Sequence, residues 1–101
     1  MKLDHKICGG LFENFPLAVK QHIIIIEAEL RRAKEKHPSW PKDPIHRAAI
    51  VNEESGELIR SAIQYVYEGG SFSSMQTEAI QTAATAIRFL IDPCPSWQKK
   101  S

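Results

Sequence analysis

Long hydrophobic runs are missing from this chain. No run exceeds four residues, the length of Ile23 to Ile26, far short of the roughly 20 that a membrane-spanning helix needs. Cysteine is scarce, with only Cys8 and Cys94 near opposite ends. Two cysteines without an apolar signal core at the N-terminus read as reduced thiols of a cytoplasmic protein. Neither sign of charge is in excess: 13 Lys and Arg stand against 12 Asp and Glu, a formal net charge of +1. That balance supplies no global basic field, so nucleic-acid binding is the weakest reading of the chain. Glycine is sparse as well, and there is no βαβ pattern or Gly-rich phosphate loop.

What is present suits one small all-α domain. The chain has 101 residues, of which 43% are hydrophobic and 25% charged, a composition that folds but yields only a modest core. Small domains of this kind often gain stability by oligomerising. Residues 1–14 read as an irregular N-terminal segment broken by Gly9-Gly10, residues 15–92 as the helical domain, and residues 93–101 as a loose tail. His5 and Cys8 lack the partner pair that a zinc site needs.

Three helices are expected. The first runs from Phe15 or Pro16 to Lys36, with Asn14 as cap and Pro16 in the first turn. Val19, Ile23, Ile26, Leu30 and Ala33 make an apolar stripe at helical spacing. Ile24 and Ile25 widen it until one turn is apolar nearly all round, which predicts burial on two sides, once in the core and once against another subunit. The loop His37-Pro38-Ser39-Trp40-Pro41-Lys42 follows, stiffened by its prolines. Asp43 caps the second helix, Pro44 opens it, and Gly69-Gly70 ends it after Glu68. Ser71, Ser73 or Ser74 caps the third, which runs to Ile91. Its faces are small (Ala79, Thr82, Ala83, Ala84, Thr85, Ala86), which suits close helix approach. Gly56, inside the second helix, suggests close approach of a neighbouring helix or a ligand.

The chemistry-bearing residues lie on the second and third helices. Glu53, Glu54 and Glu57 fall within one sector of the second. Like charges at such spacings cost roughly 0.2–0.5 kcal/mol per pair, so the cluster is either a solvated face or the wall of a cation site. Glu78 and Gln81 repeat the i,i+3 spacing on the third helix. Oxygen pairs on two helices suit an all-oxygen Mg²⁺ site between them, with Mn²⁺ as a substitute. A carboxylate-bridged di-iron bundle expects Glu-x-x-His, which neither acidic word provides.

The words His37-Pro38-Ser39-Trp40-Pro41 and Asp43-Pro44-Ile45-His46, then Ile50 through Leu58 with its Glu-Glu-x-x-Glu, then Glu78-Ala79-Ile80-Gln81 through Leu90, occur in that order. In this the chain resembles small MazG-like members of the all-α nucleoside triphosphate pyrophosphohydrolases, over residues 17 to 91. The resemblance implies a helical bundle that forms dimers or dimers of dimers. It also implies Mg²⁺-dependent cleavage of an NTP or dNTP between the α and β phosphates. It makes Glu54, Glu57 and Glu78 metal ligands and Glu53 the leading acid of the motif. The second word is usually Glu-x-x-Asp; here Gln81 holds the Asp position and offers an amide oxygen without charge.

On this reading Glu53 or Glu57 accepts the proton of the attacking water. Arg88 shares a helix face with Gln81, seven residues on, and joins Lys34, Lys36 and Lys42 as candidate phosphate contacts. Trp40 is a candidate stacking platform for the base. His37 and His46 read as surface or capping residues. The expected partners are a nucleoside triphosphate and further copies of the chain, as homodimer or homotetramer. The alternative is a non-catalytic helical module that dimerises through its Ile-rich first helix and binds nucleotide or metal without turnover.

Overall fold

The computed structural model describes residues 12–92, and over that span the chain is all-α. Three helices follow one another: α1 (Leu17–Lys36), α2 (Pro44–Tyr67) and α3 (Phe72–Ile91). Among the described residues there is no strand, and no helix is long and apolar enough to cross a membrane. The readings of residues 1–11 as irregular and 93–101 as a tail, and those of His5, Cys8 and Cys94, fall outside the described residues.

Two of the three helix starts follow the local chemistry of the sequence. The Asp43 carboxylate accepts from the Ile45 N–H at 3.3 Å, with Pro44 behind it as the first helical residue. Ser71 Oγ accepts from the Ser74 N–H at 3.0 Å. Each such cap is worth about 1 kcal/mol. The start of α1 differs from expectation. Asn14 lies in a turn after a short helical piece at Phe12 and Glu13. Pro16 takes the N-cap position in an extended conformation, with φ −53° and ψ 147°, and no side chain caps the helix.

The turn between α2 and α3 depends on its glycines. Gly69 has φ +72°, the left-handed region open to glycine at little cost. The N–H of Gly70 then returns to the Gln64 carbonyl at 2.8 Å. A Cβ on Gly70 would lie 2.9 Å from Gln64 Cβ. Gly56 is different: a Cβ there would meet nothing within 4 Å, so no neighbour among the described residues approaches it. The expectation of close packing at Gly56 is corrected within the single subunit.

Helix α3 packs against both α1 and α2. Its small side chains explain this central place, and Ala84, 2% exposed, is the one fully buried hydrophobic residue among those described. The rest of the apolar surface stays open. No residue of α1 is buried, and Ile24 remains 61% exposed. Helix α2 turns Arg47, Ile50, Glu54, Leu58 and Ser61 inward, buried or half-buried, while Ile59, Ile63, Val66 and Tyr67 face outward as a second apolar stripe.

Candidate functional site

The three helices and the α1–α2 loop surround a cavity of about 380 Å³. Helix α1 lends it Glu29, Arg32 and Lys36, the loop His37, Ser39, Trp40 and Pro41, α2 Glu54, and α3 Gln81 and Arg88. The cavity thus collects one acidic residue from each of two helices beside a cationic rim and an indole.

Glu54 is the electrostatic centre. It is half-buried, and burial pushes its carboxyl above the usual glutamate range. Repulsion from Glu78, then Glu53, Glu57 and Glu29, pushes it the same way. Both acidic words of the sequence therefore act on one carboxyl, joined by Glu29 from α1. Glu29 is held down instead, first by its hydrogen bonds to Arg32, which lies 2.6 Å away.

Of the other expected acids, the ligands Glu57 and Glu78 and the leading Glu53 do not line the cavity. Glu53 and Glu57 are exposed on α2, and Glu78 is half-buried on α3. Among the described residues no three Asp, Glu, His or Cys side chains are grouped closely enough to hold a metal ion as they stand. Gln81 is half-buried and does line the cavity.

The expected substrate-binding residues divide. Trp40 is on the cavity wall, but its ring already carries two guanidinium groups, Arg88 at 4.5 Å and Arg47 at 5.4 Å from the centroid. Its Nε1 is buried without a hydrogen-bond partner. Arg88 is 4% exposed and donates to the His37 carbonyl at 2.7 Å. Its Nε lies 3.5 Å from Asp92, near enough for an ion pair but not aligned for a hydrogen bond. Lys34 pairs with Asp92 at 3.3 Å, away from the cavity. Lys42 is exposed on the loop and does not line it, whereas Lys36 does. His37 lines it as well, while His46 is exposed on the first turn of α2.

Two residues stand out that the sequence reading passed over. Glu29 lies at i+3 from Ile26 and i−4 from Ala33, so it is a charge set into the apolar stripe of α1. Arg47 lies at i−3 from Ile50 on the inward face of α2 and is 5% exposed. A charge interrupting the apolar stripe of α1 was the available signal for Glu29, whereas no such stripe marks Arg47.

Comparison with protein-family models, with curated proteins and with solved structures finds no match to this chain.

Proposed function

We propose that the chain is a Mg²⁺-dependent nucleoside triphosphate pyrophosphohydrolase of the MazG-like kind, acting as a homodimer or homotetramer. The observation that carries this reading is Glu54, a half-buried carboxyl driven toward its neutral form by burial and by Glu78, Glu53, Glu57 and Glu29. At such a position a bound cation would offset the like charges that crowd the carboxyl. The donors of Glu54, Glu57, Glu78 and Gln81 are all oxygen, the set that a hard dication prefers. When bound, Mg²⁺ (or Mn²⁺) would neutralise the triphosphate and polarise its α-phosphoryl group.

The chain's own residues have the remaining tasks. Glu53 or Glu57 accepts the proton of the attacking water. Arg32 and Lys36, on the cavity rim, attract the polyphosphate. Trp40 bounds the space left for the nucleoside. Cavity and cations lie on the side of α1 that carries Glu29 and Arg32. The exposed isoleucines of α1 and the stripe Ile59, Ile63, Val66 on α2 are the surfaces that further copies would cover, since burial of an aliphatic side chain contributes about 1.5–3 kcal/mol.

The test is pyrophosphate release from a panel of NTPs and dNTPs with Mg²⁺ or Mn²⁺, and with EDTA as control. Metal-dependent release that vanishes in Glu57→Ala supports the enzyme. Absence of release across the panel, from folded protein, favours the second reading, a nucleotide- or metal-binding module without turnover. The uncharged Gln81 and the ungrouped carboxylates favour that second reading.

A further inference from the structure

The segment from His37 to Pro41 crosses the cavity as a strap. Its prolines, Pro38 and Pro41, have no N–H to donate, and its carbonyls at His37 and Pro41 are held by side chains from elsewhere. Two arginines hold them from different sides. Arg88 lines the cavity and holds the His37 carbonyl. Arg47 does not line the cavity. Its Nε donates to the Pro41 carbonyl and its Nη1 to the Asp92 carbonyl. Its guanidinium also lies against the Trp40 ring, 5.4 Å from the centroid. A buried cation is costly unless its donors are met, and here the planar fork meets two carbonyls and an aromatic ring together. A lysine ammonium, a point charge on a flexible stem, lacks that geometry.

Building on the pyrophosphohydrolase reading, we propose that Arg47 is a positioning residue for substrate: without touching the cavity, it fixes the strap and thereby Trp40 as the cavity wall. The strap ends at the residues that bound the nucleoside space, so its placement governs how well substrate is held. Proton transfer and phosphoryl chemistry at Glu53, Glu54 and Glu57, on a different stretch of α2, are left in place.

The experiment uses the full chain with Trp97→Phe, so that Trp40 is the sole indole. Arg47→Met and Arg47→Lys are compared with it by circular dichroism, by acrylamide quenching of Trp40 in the unliganded protein, and by steady-state kinetics on the best substrate of the nucleotide panel. Arg47→Met is expected to keep its helical signal, to raise the quenching constant about twofold, and to raise KM roughly tenfold with kcat within about twofold. Arg47→Lys should fall between the two. Unchanged quenching and KM in folded Arg47→Met overturn the inference. So does a loss of kcat at constant KM, which marks a smaller folded fraction and no misplacement. If the unaltered protein releases pyrophosphate from no nucleotide, the preceding reading fails and the substrate half of this one with it. Trp40 quenching still decides separately whether Arg47 holds the strap.

Discussion

Arg88 on α3 donates to the main-chain carbonyl of His37, 51 residues earlier, at 2.7 Å. The same guanidinium lies 4.5 Å from the centre of the Trp40 ring. One side chain therefore fastens the loop at its first residue and covers its indole. Arg88→Met keeps an unbranched stem against the ring but removes the donor. The expected cost is about 1–3 kcal/mol, read as a lower urea midpoint at unchanged slope. A midpoint equal to that of the unaltered protein would show that the contact contributes nothing to stability.

Glu54 predicts a specific dependence on pH. Its carboxyl is raised in the folded chain, so folding favours the protonated form. Stability from this group is highest below the ordinary glutamate value and declines as pH rises from there through the raised value. Thermal melting without metal should accordingly shift upward as the buffer is taken from neutral to mildly acidic pH, and the shift should shrink in Glu54→Gln. Equal shifts in both proteins would assign the effect to other carboxylates.

Residue 81 offers a direct probe of the cation reading. Gln81→Asp adds a charge where a half-buried amide now lines the cavity. If that oxygen faces the ion, Mg²⁺ affinity measured by calorimetry should rise roughly tenfold, the order expected for an added charge-assisted ligand. An isotherm identical to that of the unaltered protein would place residue 81 outside the coordination shell.

The isoleucine surface of α1 is open to the same kind of test. Ile24 and Ile25 are 61% and 44% exposed in the single subunit. Replacing both with lysine puts two charges where an apolar contact is expected. The variant should elute as a monomer with its helical content preserved. A mass in solution that still matches an oligomer would move the contact elsewhere, to the stripe of Ile59, Ile63 and Val66.

Much of this architecture was legible in the residues themselves. Asp43, Pro44 and Ser71 announce helix starts because their side chains act on neighbouring backbone. The end of α2 was equally plain, since Gly69 adopts a conformation that few other residues accept. The start of α1 was misjudged by a residue or two because Pro16 sits before the helix and not inside it. At the candidate site, helical spacing put Glu53, Glu54 and Glu57 in one sector of α2, whereas bringing Glu54 to Glu78 was what the resemblance implied. The fastening of Trp40 by Arg88 was not legible, because it depends on a contact across 51 residues of separation, and Arg47 reaches the strap from a neighbouring helix while also holding Asp92, 45 residues on. Periodicity within one helix cannot reveal such a meeting. At Gly56 the neighbouring helix that the glycine suggested is absent among the described residues, and open space lies beside it.

Asp92 takes Lys34 of α1 on one carboxylate oxygen, Arg88 of α3 near the other, and Arg47 of α2 on its carbonyl. A single residue just past the last helix thus gathers all three helices at the same end of the bundle. Removing its side chain alone, as in Asp92→Ala, would release the ties of α1 and α3 together while leaving the carbonyl that Arg47 of α2 holds.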